Sequence, residues 1–228
     1  MFIYEKFRFK WVWVVVSIWG SFIIAWNSTI YFQSEVTPVF LLEKGSLVDS
    51  SLWLTSLKFH IVAACSTLLL GTAILLDSKL RFKRLHVIFG NLYVCLTLWI
   101  VVPTGLILAP VAKGGWVSAI GFALTGAALW WATWSGYQAI RRRQINSHIA
   151  WMVRSYSLSL SAVFFRIIQL GLVALGFGNS TAYVAAVWLS LVTSIVVAEC
   201  CIVKQFPDQR FEAKQFFSRF KRLKELDV

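Results

Sequence analysis

The chain has 228 residues, 58% of them hydrophobic, and a formal charge of +12, with a mean hydropathy of +0.71. That much apolar surface is more than a soluble domain of this length can hide, so the composition excludes an ordinary soluble protein and requires an integral membrane protein. The basic residues flank apolar runs, where topology and anionic headgroups account for them, so no nucleic-acid partner is expected.

Apolar runs long enough to cross a hydrocarbon core of roughly 30 Å cover Trp11–Tyr31, Trp53–Leu76, Val87–Ala109, Trp116–Ala139, Ile149–Ala174 and Ala182–Val203. The first has the basic start of a signal peptide. It is long, however, and no small-x-small cleavage site follows it, so it reads as an uncleaved helix. The expected fold is all-α: a six-helix integral membrane bundle over residues 1–205, followed by a cytoplasmic amphipathic tail at 206–228. In that tail Phe211, Phe216, Phe217, Phe220 and Leu223 recur at helical spacing among charged residues, as in a helix lying on the inner membrane surface.

Lys6, Arg8 and Lys10 precede helix one; Lys79, Arg81, Lys83 and Arg84 join helices two and three; Arg141, Arg142 and Arg143 follow helix four, and more basic residues fill the tail. The opposite loops hold only Lys44, Lys58 and Lys113. By the positive-inside rule both termini are cytoplasmic. The longest external connection is Phe32–Ser51, and the run from Pro110 to Gly115 predicts a tight external turn that makes helices three and four antiparallel neighbours. Cys65, Cys95, Cys200 and Cys201 fall within spans without CxxC spacing, so they read as buried packing thiols rather than disulfides.

The chain has three histidines, each at or within a span. Imidazole is a common axial ligand of b-type haem and a common metal ligand. His86 and His148 both start helices that leave the cytosol, so they share the inner level, and a bis-histidine haem fits between helices three and five if those helices face each other. His60 sits near the outer level, roughly 24 Å from the inner end of its helix, too far to share one metal ion with the inner pair.

Helical periodicity aligns His148, Ser155, Ser159, Ala162 and Arg166 into a polar stripe on helix five, with Trp151 and Gln169 to one side. The same arithmetic aligns His86, Gly90, Tyr93, Thr97 and Thr104 on helix three, and His60, Ala64, Thr67 and Gly71 on helix two. Tyr93 either donates a satisfying hydrogen bond or forms a relay beside His86. Arg166 lies roughly 27 Å beyond His148 along the helix, near the level of His60, where the two are expected to hold an anionic group: a propionate, a quinone oxygen or a lipid phosphate. Arg154 lies near the inner level on another face, with Glu199 of helix six as its expected ion-pair partner. Of the twelve tryptophans, several fall in the aromatic belts expected at membrane interfaces, while Trp130, Trp131 and Trp134 either fill the bundle or line a cofactor pocket.

Several of these residues together resemble the bacterial membrane family known as domain of unknown function 2306. The likeness rests on Phe59-His60-Ile61, on Leu85-His86 with Gly90-Asn91-Leu92-Tyr93, on Gly114-Gly115, and on Gly136-Tyr137-Gln138-Ala139-Ile140-Arg141. Its most specific parts are His148-Ile149-Ala150-Trp151-Met152-Val153-Arg154-Ser155-Tyr156 and Ala162-Val163-Phe164-Phe165-Arg166. The resemblance implies a multi-pass protein of the bacterial inner membrane and marks His60, His86, His148, Arg154 and Arg166 as matching positions; it implies no reaction. Arginines usual in the family after both inner histidines and after Gly90 are replaced here by Val87, Ile149 and Asn91, which removes positive charge from the inner level.

The leading expectation is a membrane-embedded electron-transfer or oxidoreductase subunit with one b-type haem on His86 and His148, and with Tyr93 and Arg154 beside it. His60, Arg166 and Gln169 would then line an outer substrate or quinone pocket, and the partner would be a quinone or another redox protein. The alternatives are a non-enzymatic transporter or lipid- or anion-binding bundle, and an accessory or assembly protein.

Overall fold

A computed structural model of the chain describes residues 10–32, 50–76 and 82–205; the tail 206–228 and most of the external segment lie outside the described residues. Helix α1 (Lys10–Ser28) closes in a 3-10 turn, Thr29–Phe32. Helix α2 is Ser51–Leu76. Helix α3 runs over Lys83–Val111, passing through a π-helical turn at Thr97–Val101 and ending in a 3-10 turn at Ala109–Val111. Then follow α4 (Gly115–Arg141), α5 (Ile145–Ser159), α6 (Ser161–Ala174) and α7 (Asn179–Gln205). No strand occurs among the described residues.

Helices α2, α3, α4 and α7 are each long and apolar enough to cross a membrane. The run expected as a single fifth helix is instead two: α5 and α6 meet at Leu160 with a bend of about 40° and together make up to one more span. Among the described residues the apolar stretch of α1 is Val14–Trp26. The polar stripe expected along one straight helix from His148 to Arg166 is therefore broken at Leu160.

The bundle is packed as membrane proteins are, with small hydroxyls inside and large apolar side chains outside. Ser17, Ser21, Thr97, Ser118, Thr133, Ser155 and Ser194 are buried, whereas Trp19, Trp26, Trp99, Trp116 and Leu170 are exposed. Lipid is as apolar as a leucine core, so helix association rewards close approach and internal hydrogen bonds rather than burial of large apolar groups. The clearest close approach is at Gly71 of α2, where an added Cβ would collide with the Tyr156 ring of α5. The Tyr156 hydroxyl is also 2.7 Å from Thr72 Oγ1. Gly71→Val is expected to displace that ring and lower stability by about 1–3 kcal/mol, measured as a fall in the unfolding midpoint in detergent; an unchanged midpoint would show that Tyr156 has somewhere else to go.

Two tight turns order the middle of the bundle. Gly114 and Gly115 both take positive φ, 85° and 68°, where glycine carries no Cβ penalty, and they reverse the chain between α3 and α4 at the expected position. Arg142, Arg143 and Gln144 reverse it again before α5. Helices α3 and α5 therefore run parallel, each antiparallel to α4. Helices α4 and α5 approach closely at Gly136, whose added Cβ would lie 2.7 Å from Met152 Sδ. Helix α6 packs on α7, and α7 also packs on α5; α2 lies against α1 and α3. Ala63, Val101, Val102, Leu129, Ala132, Leu158 and Leu191 form a core joining α2, α3, α4, α5 and α7.

Both interruptions have local causes. Pro103 lacks the N–H that would continue the α3 ladder, and it stands just after the π turn, a feature often found at functional sites. At the α5–α6 break, Ser159 bonds back to Ser155 O at 3.2 Å, the kind of serine-to-carbonyl bond that bends helices.

Candidate functional site

The centre of the site is Tyr93 of α3, which is fully buried. Its hydroxyl is 2.8 Å from Ser155 Oγ and 2.9 Å from Ser159 Oγ, both on α5. Ser155 Oγ is in turn 2.7 Å from Thr133 Oγ1 on α4. The proton directions follow from the carbonyls, which only accept. Thr133 donates to Leu129 O at 2.7 Å and Ser159 donates to Ser155 O, so both hydroxyls accept within the network. Ser155 then donates to Thr133, and Tyr93 donates toward both serines. Tyr93 thus acts here as a tie between α3 and α5. Tyr93→Phe is expected to cost about 1 kcal/mol in thermal or denaturant unfolding; no measurable loss would mean that the serines re-pair with each other.

This tie sets the register of the inner histidines. His86 precedes Tyr93, and His148 precedes Ser155, by the same seven residues, which is about two turns and brings each histidine back to within roughly 20° of the tied side chain's direction. Because α3 and α5 are parallel, His86 and His148 lie at a similar level, each two turns before the tie. Between His86 and Tyr93 lies Gly90, and a Cβ added there would meet nothing within 4 Å.

The His148 ring is oriented by α4: its Nδ1 is 2.8 Å from Gly136 O. A carbonyl only accepts, so Nδ1 carries the proton and the neutral ring keeps its lone pair on Nε2. The same reasoning applies to His60 of α2, whose Nδ1 is 3.0 Å from Val101 O and 3.0 Å from Thr104 Oγ1. His60 thus docks on α3 where the π turn and Pro103 disturb its ladder, and Gly105 leaves room for the ring, an added Cβ there lying 3.2 Å from His60 Cε1.

Arg154 and Glu199 form the expected ion pair, with Nε 2.6 Å from Oε1 and Nη2 3.1 Å from Oε2. The guanidinium also lies 4.7 Å from the Trp151 ring centroid. Its expected place beside a cofactor is left to the edge not spent on Glu199. Arg166, beyond the break on α6, is exposed and lies 5.1 Å from the Phe165 ring centroid. His60 and Arg166, expected to share one outer pocket, have different neighbours of their own: His60 bonds to α3, and Arg166 lies over Phe165. Gln169 is half-buried on α6. Trp130 and Trp134 stack with centroids 5.8 Å apart.

Thr133 is the member of the network that sequence reading missed. Its hydroxyl sits among the tryptophans of α4, where nothing in the pattern marks it, and only its distance from Ser155 does so. Among the cysteines, Cys95 and Cys200 are exposed, so they face outward from the bundle rather than packing within it as expected. Among the described residues no group of three or more His, Cys, Asp or Glu is placed to hold a metal ion.

No curated protein and no solved structure matches the chain. A family profile described as a predicted membrane protein (DUF2306) matches residues 57–202, which is more than half of the chain and contains every histidine, both intramembrane arginines and the Tyr93 network. The chain belongs to this family of predicted membrane proteins, the DUF2306 family.

Proposed function

We propose that the protein is an electron-transfer subunit of a bacterial inner membrane that holds one b-type haem between His86 of α3 and His148 of α5. The observation that carries this reading is the shared register of the two histidines below the Tyr93–Ser155 tie, on parallel helices. The His148 tautomer supports it: ligating histidines commonly donate their other ring N–H to a backbone carbonyl, which fixes the ring and raises its basicity, and Gly136 O plays that part here. Gly90 supplies the missing side chain that a flat group beside His86 requires. The haem, when bound, supplies one-electron chemistry; the chain's own contribution is to set the ligand tautomer, spacing and apolar surroundings. His60, with its lone pair on Nε2, is placed to accept a hydrogen bond from a quinol hydroxyl at the outer level, which makes a quinone or a second redox protein the partner.

In this reading α1 and the bent α5–α6 pair each cross once, giving six spans with both termini cytoplasmic, and the segment 206–228 lies on the inner surface. A reporter fused after Val228 is expected to be active only if it is of the cytoplasmic kind; activity of a periplasmic reporter there would overturn the topology. Haem extracted from protein produced with ample haem precursor is expected at about one per chain. A yield near zero would leave the second reading, a lipid- or anion-binding bundle, which rests on the exposed Arg166. An accessory or assembly role has no structural observation in its favour.

A further inference from the structure

We propose that Arg166 anchors a phosphate-binding site on the outer half of the bundle, whose ligand is the headgroup of a phospholipid, with Gln169 beside it. The inference starts from the contrast between the two intramembrane arginines. Glu199 is the one acidic residue among the described residues, and both of its oxygens are taken by Arg154. No carboxylate lies against Arg166 among the described residues. A guanidinium at membrane depth is unfavourable by itself, and such residues mark ligand paths or reach the interface.

The setting of Arg166 is built rather than incidental. Its guanidinium lies over Phe165 at 5.1 Å. Phe165 is itself buried and wedged by Phe122 at 6.1 Å and Tyr183 at 5.0 Å. The cation therefore rests over a ring that residues of α4 and α7 hold in place. Tyr31, in the turn after α1, lies within electrostatic reach of the same charge. Gln169 follows Arg166 by three residues, so the two share a helix side, and its amide is a donor to an oxyanion.

Arg166 precedes the end of α6 at Ala174 by eight residues, roughly 12 Å along the helix, a depth from which an arginine side chain reaches up to the phosphate layer. A phosphodiester offers two oxygens to the guanidinium fork, and the bilayer supplies that group along the exposed face of the helix. The inference is independent of the inner histidines, which lie on the other side of the Leu160 break.

The test is a titration of the delipidated full chain in detergent with phosphatidylglycerol, followed by native mass spectrometry. One lipid per chain is expected to be retained, with at least ten-fold weaker retention in Arg166→Gln, partial retention in Arg166→Lys, and no change in Arg142→Gln. Equal retention by Arg166→Gln overturns the site, as does equal binding of a diacylglycerol of the same chains without phosphate. If Arg166→Gln does not fold, Gln169→Ala and Phe165→Leu serve instead, each expected to weaken retention about three-fold; no change in either also overturns it. Inorganic phosphate separates the two sources of the ligand: the lipid holds against it if the headgroup is the true occupant, and displacement by millimolar phosphate assigns the same site to the free anion.

Discussion

His148→Ala is expected to abolish haem binding, taking the content from about one per chain to less than about a tenth, while leaving a folded, membrane-inserted protein. In the proposed reading the ring is a haem ligand; within the chain it makes a bond to Gly136 O, and its half-buried position leaves only a small gap when it is removed. His86→Ala is expected to behave alike, and His60→Ala to retain the haem, since its ring is bound to α3 at Val101 and Thr104. Haem content and the Soret band of the three purified variants check this together. Full haem in both inner variants would remove His86 and His148 as ligands, and loss in all three would indicate general unfolding rather than ligation.

The second large effect is expected at Glu199. Glu199→Gln leaves the Arg154 guanidinium without the carboxylate that now takes two of its N–H groups. Breaking a fully buried pair costs about 3–5 kcal/mol; the side chains here are 28% and 46% exposed, so a loss of about 2 kcal/mol is expected. Arg154→Gln combined with Glu199→Gln should recover much of it, because the uncompensated charge is then gone. The measurement is a double-mutant cycle by thermal unfolding in detergent. A Glu199→Gln midpoint equal to that of the parent would show that the pair is dispensable.

Four of the spans, α2, α3, α4 and α7, were legible because length and apolarity alone define a membrane crossing, and Gly114-Gly115 and the Arg154–Glu199 pair were legible because turn chemistry and charge at matching depth leave few options. The break at Leu160 was not, since no proline or glycine marks it. Its signal is the serine run Ser155, Ser157, Ser159 and Ser161, of which two donate to carbonyls: Ser159 to Ser155 O of its own helix at 3.2 Å and Ser157 to Ser194 O of α7 at 2.7 Å. The π turn was hidden for a related reason. Straight-helix arithmetic placed Thr104 on the same stripe as His86, whereas the wider turn at Thr97–Val101 shifts the phase beyond it, and the Thr104 hydroxyl faces His60.

The pairing of histidines by depth needed no knowledge of packing, but their common facing did. Periodicity places His86 with Tyr93 and His148 with Ser155, yet only the hydrogen bond across α3 and α5 shows that those two stripes look at each other. His60 and Arg166 were joined by depth in the same way, and the neighbours each one finds are α3 for His60 and Phe165 for Arg166. Depth is a one-dimensional coordinate, and it cannot tell which neighbour each residue finds around the bundle.

The most direct measurement of the central claim is a reduced-minus-oxidised absorption spectrum of the purified wild-type chain, produced with ample haem and iron. The account predicts a sharp Soret shift and an α band of a low-spin bis-histidine b-type centre at about one haem per chain. A featureless spectrum from folded protein would contradict it and leave the phosphate site at Arg166 as the chemistry to pursue.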